Sequence, residues 1–443
     1  MESSLPILNK SFKTPSYKAL ITLIILVLLS VFAWPFFVDD ALDDGIAVVV
    51  YEFNSQDTLD NNGSVYQLGM WVKVDALPYE AGLWRLKQYE KALKNNDGAT
   101  TTLKFEDYPK DRWIKKLNQV EGAEDLLCNF REYQCLERIY NQSPANSKKL
   151  AALLSANAAN IEKYDGQMQY DQFQLYTDPM RSTFEIPFGP GSNIIKLKLM
   201  SIIQLVASNN VEQAISQLAP LIDFQQKVLE QTPYATVKIT GILEYSSILD
   251  TVAFLIGKTE KSQRIQWAGL IERFSLLQSN QFNMNRILKR RFVAAANGWD
   301  FLSIENIKAS SPDSSGILPL FILFKPNRTL NVMYQSLLQS LDDGGAINFN
   351  SDNIKQSIDY TNVIGSTLID TTTFMITGLT DELTELKIKQ RMIKHLYEQN
   401  NGQPATFNSP YTGKPGFNQD EQFCVSTDDV KYDVCITAFQ TSK

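Results

Sequence analysis

An uncharged apolar segment near the N-terminus constrains this chain more than any other feature. Ala19–Val38 reads ALITLIILVLLSVFAWPFFV and contains no charged residue. A helix of about 20 residues, rising 1.5 Å per residue, spans the roughly 30 Å of a bilayer's hydrocarbon core. Tyr17 and Trp34 lie near its two ends, where amphipathic rings favour the headgroup region. The segment predicts a transmembrane helix over residues 19–38.

The charged flanks of this segment predict its orientation. Lysines precede it and aspartates follow it: Lys10, Lys13, Lys18, Asp39, Asp40, Asp43 and Asp44. Lysine is retained on the cytoplasmic side, so we expect residues 1–18 to form a cytoplasmic tail and the bulk of the chain to lie outside. A cleaved signal peptide is the alternative. The apolar run exceeds a usual signal-peptide core and Phe36–Asp39 lacks a small-residue cleavage pattern, which favours an uncleaved anchor.

Composition and charge limit the functional classes. With 44% hydrophobic and 11% aromatic residues in 443, the chain is expected to build a packed core. The formal net charge of −7 gives no basic character, so nucleic acid is not an expected partner. A single histidine, His395, excludes sites built from several histidines. We predict no metal and no cofactor.

Four cysteines follow the apolar segment: Cys128, Cys135, Cys424 and Cys435. An even number in an oxidising compartment favours two disulfides, for which three connectivities exist. The pairing of sequence neighbours is favoured, and it requires a helix break near residues 131–134, because seven helical residues separate Cα atoms by about 10.5 Å. Free thiols or a zinc site are the alternatives, although neither pair has C-x-x-C spacing.

Residues 39–192 are expected to form an N-terminal, mainly helical region. The short apolar run Ala47–Phe53 fits either a strand or a helical turn. A breaker-rich loop is predicted over Asp178–Ser192, which contains three prolines and two glycines. The predicted helices are Glu80–Lys94, Asp111–Val120 and Ser147–Lys163.

Residues 193–309 are expected to form a helical bundle, because short connections favour antiparallel neighbours. The helix predicted over Ala235–Gly257 is apolar nearly all round, which is typical of a central buried helix. The other predicted helices are Asn193–Ser208, Val211–Gln231, Lys258–Ser279 and Phe282–Ala296.

Residues 310–443 are expected to form a mixed C-terminal region that follows the polar breaker Ser310–Gly316. A mixed segment is predicted up to Thr377, between the helices Thr329–Leu341 and Asp381–Asn400. A β-hairpin around Thr427–Asp429 would bring the last two cysteines together. The predicted fold class is therefore mainly α: an N-terminal transmembrane helix, an irregular α-helical bundle and a small disulfide-stapled β-hairpin.

Candidate sites are few. No nucleophile elbow, zinc-protease motif or phosphate-binding loop is present, so no catalytic residue is predicted. The densest basic cluster is a possible docking patch for an acidic partner: Arg286, Lys289, Arg290 and Arg291. A solvated helix face is the alternative interpretation of that cluster. His395 fits a residue favoured by the helix dipole near a helix C-terminus, or a pH-sensitive contact.

Three short motifs carry a resemblance to a known group of proteins: Phe324–Asn331 (FKPNRTLN), Val363–Leu368 (VIGSTL) and Pro410–Pro415 (PYTGKP). With the anchor and the helical pattern, they resemble functionally uncharacterised single-pass inner-membrane proteins of Gram-negative bacteria. The resemblance implies a bacterial inner-membrane location, a periplasmic domain and a mainly helical fold. It brings no activity with it.

Together these features predict a membrane-anchored periplasmic scaffold or assembly factor that binds other envelope proteins and has no catalytic activity. The first alternative is a small-molecule, lipid or glycan binding module, with a cavity between helices of residues 194–297 and the C-terminal segment. The second is a glycan-cleaving enzyme that uses paired carboxylates, which are abundant in this sequence.

Overall fold

Helices dominate the fold, and a small antiparallel sheet lies near the C-terminus. The predicted mainly α class is therefore confirmed. The predicted breaker at residues 310–316 and the hairpin turn at 427–429 lie outside the described residues. The computed structural model describes residues 17–54, 59–72, 77–94, 114, 116–123, 126–141, 144–175, 188–274, 284–299, 324–342, 362–400, 406–410, 412–419, 422–426 and 433–437.

Three of the first four helices follow the predicted pattern, with one ambiguity resolved, whereas the helix at Gly63–Gly69 was not predicted. The ambiguous run at residues 47–53 is helical, and its Tyr51 is exposed. Between the third and fourth helices, a Cβ at Gly69 would collide with the Pro78 carbonyl and one at Gly82 with the Val65 carbonyl, so only glycine permits this close approach. These helices are α1 (Tyr17–Phe37), α2 (Asp44–Asn54), α3 (Gly63–Gly69) and α4 (Pro78–Lys94).

Two helices predicted between residues 111 and 163 were wrong, and the two segments meet at Asn118 and Asn157. The described part of the predicted helix 111–120 is not helical, and the predicted helix 147–163 is interrupted at Asn157. The buried Asn157 side chain accepts from the Asn118 backbone N–H (2.9 Å) and donates to the Asn118 carbonyl (2.9 Å). These bonds hold the non-helical chain around Asn118 against the helix break. The helices are α5 (Tyr133–Tyr140), α6 (Pro144–Ala156) and α7 (Ala158–Gly166), followed by a 3₁₀ turn (Gln167–Gln169).

Three long helices form the centre of the molecule. The third of them, Ala235–Lys258, is long and apolar enough to cross a membrane by length and composition. However, 78% of its most apolar 18-residue stretch is buried, as expected for a core helix. The second, Val211–Gln231, has the predicted bounds. The first begins inside the stretch predicted as a loop, since residues 188–192 are already helical. The three are α8 (Phe188–Ala207), α9 (Val211–Gln231) and α10 (Ala235–Lys258).

In its described part, which ends at residue 274, the predicted helix 258–279 is replaced by a turn and two short elements. Thr259 ends α10 in an extended conformation. Its carbonyl accepts from Arg264 Nε (3.0 Å) and its hydroxyl accepts from Trp267 Nε1 (3.2 Å), which stabilises the turn. A 3₁₀ turn (Arg264–Trp267) and α11 (Ala268–Phe274) follow, and then α12 (Asn285–Trp299).

Two further helices, α13 (Pro326–Asp342) and α14 (Val363–Asn400), complete the helical part. The 38-residue α14 begins well before the predicted start at Asp381, so the mixed segment predicted up to Thr377 was wrong from Val363 onward. Asn362 explains this start, because its carbonyl accepts from the Ser366 N–H (2.9 Å) and its side chain accepts from the Lys325 N–H (2.7 Å).

A three-stranded antiparallel sheet packs against α10 and α14, in the order β1 (Phe417–Gln419), β2 (Gln422–Val425), β3 (Val434–Thr437). The predicted hairpin corresponds to β2 and β3, with Cys424 directly opposite Cys435. The first strand was not predicted. Buried apolar residues from Ile46 to Ile436 form one contiguous core. The boundaries predicted at residues 192/193 and 309/310 stay predictions.

Candidate functional site

Both disulfides join sequence neighbours, as favoured from the sequence. Cys128 pairs with Cys135 (Cα–Cα 5.9 Å) and Cys424 with Cys435 (Cα–Cα 4.1 Å). The first bridge closes because α5 begins only at Tyr133, so the required helix break is present. The cysteines therefore staple the fold and are not available as thiols or zinc ligands.

The basic cluster on α12 is half-buried and contacts its own chain. Arg286 donates to the Gln231 carbonyl at the end of α9 (3.2 Å). The Arg290 guanidinium lies 4.1 Å from the centre of the Tyr234 ring, a cation–π distance. Burial lowers the pKa of Lys289 and of Arg291. Packing thus occupies part of this surface, and its role as a docking patch stays a prediction.

His395 is buried near the C-terminal end of α14, and its interpretation as a residue favoured by the helix dipole stays a prediction. Its ring lies 5.4 Å from the Phe407 ring and 6.0 Å from the Phe423 ring. Burial lowers the pKa of His395, with Glu398 opposing the shift. The lower pKa favours the neutral imidazole, so this residue acts as an aromatic packing element between α14 and the sheet.

The acidic residues after α1 bind the N-terminus of α13. The Asp39 carboxylate accepts from the backbone N–H groups of Asn327 (2.8 Å) and Arg328 (3.1 Å). Asp40 receives two hydrogen bonds from the Arg328 guanidinium, at 3.0 and 2.9 Å. Asn331 adds bonds to residues 41 and 43. We call this set of contacts between residues 39–43 and 327–331 the junction.

Two of the motifs noted in the sequence meet beside the junction. Asn362, immediately before α14, donates to the Thr329 hydroxyl (2.8 Å), and both side chains are buried. A Cβ at Gly365 would collide with the Thr329 hydroxyl, so glycine allows α14 to approach α13. The Phe324–Asn331 and Val363–Leu368 motifs therefore build one structural unit that holds the residues following α1.

A half-open pocket lies among α3, α7, α8, α9 and α10 and contains about 450 Å³ of empty volume, including the part open to solvent. This position differs from the cavity expected beside the C-terminal segment. Its lining combines apolar and aromatic side chains with amides and one carboxyl group. The lining residues are Gln67, Met70, Trp71, Tyr164, Gln167, Gly191, Phe224, Gln225, Val228, Val237, Thr240, Gly241 and Glu244.

A buried carboxyl group forms the polar centre of the pocket. Glu244 is 7% exposed, and its Oε2 accepts from the Tyr164 hydroxyl (3.0 Å) and from Gln225 Nε2 (2.6 Å). Within the described part of the chain, Oε1 forms no hydrogen bond. A Cβ placed on Gly191 would lie 3.5 Å from this oxygen and 3.5 Å from Trp71 Cζ2. Oε1 is therefore the acceptor that the pocket offers.

Burial controls the protonation of this site. It raises the pKa of Glu244 to about 7, although the bonds from Tyr164 and Gln225 favour the ionised form. Burial also raises the pKa of Tyr164, and the Glu244 charge adds to that shift. Near neutral pH the carboxyl group is thus poised between its neutral and ionised forms, whereas the tyrosine stays neutral.

Sequence reasoning missed Glu244, although a signal was present. Two acids, Glu244 and Asp250, interrupt a helix that is mostly apolar, and an acid buried in such a helix needs a partner. Asp250 has one, since Lys389 Nζ lies 2.9 and 3.1 Å from its two oxygens and 3.0 Å from the Ser246 hydroxyl. This second cluster joins α10 to α14 in the core, and none of its three residues is a lining residue of the pocket.

The described lining of the pocket does not contain the paired carboxylates that glycoside cleavage uses, because Glu244 is its one acid. Its chemistry is suited to binding a ligand. In the described residues, no group of three His, Cys, Asp or Glu side chains is arranged to hold a metal ion. The resemblance to inner-membrane proteins stays a prediction. The chain matches no protein-family model, no curated protein and no solved structure.

Proposed function

We propose that this protein is a membrane-anchored helical scaffold or assembly factor that binds other envelope proteins. In this proposal residues 19–38 span the bacterial inner membrane, the N-terminus is cytoplasmic and the remaining chain lies in the periplasm. The apolar side chains of α1 support the anchor, since Leu26, Leu29 and Val31 are exposed. Exposed apolar side chains covering a helix of this length fit a lipid environment.

The junction is the observation that carries the proposal. It binds the residues directly after α1 to the N-terminus of α13, so the helical domain is held against the end of the anchor. A domain held in this way presents its surfaces at a defined height and orientation above a membrane. A flexible tether, in contrast, would use a run of small or polar residues. A fixed presentation favours a scaffold that aligns partners.

The disulfides support the proposed compartment. Bridges form and persist in oxidising compartments such as the bacterial periplasm. Both bridges lie in the part of the chain proposed to be periplasmic, and they join Cys128 to Cys135 and Cys424 to Cys435.

In-cell crosslinking of the full chain, followed by mass spectrometry of the co-purified proteins, tests this function. We expect a membrane or periplasmic protein to be recovered in stoichiometric amount. Recovery of the protein alone, at normal abundance and with both disulfides formed, would overturn the scaffold role.

The pocket favours a second function, a binding module for a small molecule, a lipid or a glycan. Its aromatic and apolar walls with a few convergent polar groups have the composition of ligand sites. Native mass spectrometry of the purified full chain tests it directly. A bound mass that is lost when Thr240→Trp fills the pocket supports the function, and identical spectra for both proteins contradict it.

A further inference from the structure

The pocket contains an acid without a basic counterpart. Glu244 is the one ionisable side chain besides Tyr164 among the described lining residues, and none of them is a lysine, an arginine or a histidine. The other acid of α10, Asp250, is paired with Lys389. The contrast is informative because a buried carboxylate without a cation is costly, whereas a ligand that supplies the cation removes that cost.

We propose that the pocket binds a small ligand through a cationic amine, which pairs with Glu244 Oε1 while an apolar part of the ligand contacts Trp71 and Phe224. The inference deepens the second function proposed above and rests on it. The scaffold role does not depend on it.

The fixed position of the carboxyl group supports this class of ligand. Two donors, the Tyr164 hydroxyl and Gln225 Nε2, hold Oε2. They leave Oε1 oriented toward Gly191 and Trp71. An ammonium group donates hydrogen bonds and accepts none, so it matches Oε1 of the ionised carboxylate, which only accepts.

The pocket amides add donors and acceptors for the rest of the ligand. Gln67 Nε2 donates to Gln167 Oε1 (3.1 Å), which leaves the Gln67 oxygen and the Gln167 nitrogen for other bonds. The apolar wall, which includes Phe224 and Val228, faces the same space. The lining therefore fits a compact amphipathic amine better than an anion or a fully apolar molecule.

Two substitutions separate recognition from folding. Glu244→Gln keeps the shape of the side chain and removes its charge. Gly191→Ala places a methyl group between Oε1 and Trp71 at 3.5 Å from each, an ordinary contact distance, so the fold tolerates it while access to the oxygen is reduced. Gly269→Ala is the matched control, since nothing lies within 4 Å of the Cβ it adds and Gly269 is also helical.

Calorimetric titration of the full chain in non-ionic detergent tests the inference, with butylammonium as the cationic probe and 1-butanol as its neutral counterpart. We expect saturable binding of butylammonium only, at least tenfold weaker in Glu244→Gln, several-fold weaker in Gly191→Ala and unchanged in Gly269→Ala. Absence of saturable butylammonium binding would overturn the inference. Equal binding of both probes, insensitive to Glu244→Gln, would also overturn it but would leave the binding-module function intact.

Discussion

The Arg328 guanidinium donates two hydrogen bonds to the Asp40 carboxylate, at 3.0 and 2.9 Å, across 288 positions of sequence. Paired donors on one carboxylate fix orientation as well as distance. The neighbouring Asp39 carboxylate accepts from the first turn of α13, where the positive end of the helix dipole favours an anion. The acidic residues that the sequence offered as an orientation signal thus have a structural role as well.

Substitutions that remove single contacts of the junction are expected to loosen the start of α13 locally and to lower the free energy of unfolding only slightly. Asp39→Ala removes a helix cap and is expected to lower the free energy of unfolding by about 1 kcal/mol. Arg328→Ala removes a partly exposed ion pair, which is worth about 0–1 kcal/mol. Hydrogen–deuterium exchange should rise at the Asn327 and Arg328 amides in Asp39→Ala.

Lys394→Ala is the matched control for this experiment, because Lys394 forms an exposed ion pair with Glu398 on α14 (4.0 Å). Exchange at the start of α13 should not change in this variant. Unchanged exchange in Asp39→Ala as well would contradict the capping role.

The buried pair between α10 and α14 is expected to be sensitive to removal of one partner. Lys389→Met leaves the Asp250 carboxyl group, which is 4% exposed, without its cation, and we expect a loss of about 3–5 kcal/mol in chemical denaturation. The double variant Lys389→Met/Asp250→Leu should recover part of this loss, because it removes the buried Asp250 charge, whereas Glu385, which also pairs with Lys389 (3.3 Å), stays without that cation. A loss under about 1 kcal/mol in the single variant would contradict this account.

The protonation of Glu244 predicts a pH dependence of stability. Its pKa is about 7 in the folded protein, against the ordinary glutamate value of 4.5, so the folded state binds more protons between these values. Stability should therefore fall as the pH rises from about 4.5 to about 7, by up to about 3 kcal/mol. Thermal unfolding of the wild type and of Glu244→Gln across this pH range measures the contribution of Glu244 to the stability. Parallel curves for the two proteins would contradict the shifted pKa.

Lys238 is expected to change the stability with pH in the opposite direction to Glu244. Its side chain is fully buried, Nζ forms no hydrogen bond within the described residues, and burial lowers its pKa to about 7. The unfolded chain binds the extra proton between about pH 7 and 10.5, so this residue makes stability rise with pH there. Lys238→Met is expected to raise the free energy of unfolding at pH 7 by about 1–3 kcal/mol. Destabilisation in denaturant titrations would show that the amine contributes a favourable interaction.

Much of the helical pattern could be predicted from local sequence, and the failures share a physical cause. Helices with strong apolar periodicity, such as α9 and α10, have nearly the predicted bounds. Asn157 ends a helix through bonds to Asn118, and such a long-range partner leaves no local signal. The start of α14 is rich in threonine and contains Gly365, which lowers its helix propensity, yet tertiary contact with Thr329 supports it.

The pocket could not be predicted for a similar reason. Its polar centre combines Tyr164, Gln225 and Glu244, which come from three different helices and lie 19 to 80 residues apart in sequence. Periodicity identified α10 as a core helix but did not indicate which neighbours its acids would meet. The disulfides were predictable, because the spacing within each pair limited the possible geometries.

Partner recovery with an intact and a broken junction tests the central claim most directly. The full chain and the triple variant Asp39→Ala/Asp40→Ala/Arg328→Ala would be crosslinked in cells at matched abundance, and the amount of co-purified envelope protein compared. The account predicts a stoichiometric partner with the wild type and several-fold less with the variant. Equal recovery from both proteins, or no partner with the wild type, would contradict a scaffold whose domain is fixed to its anchor.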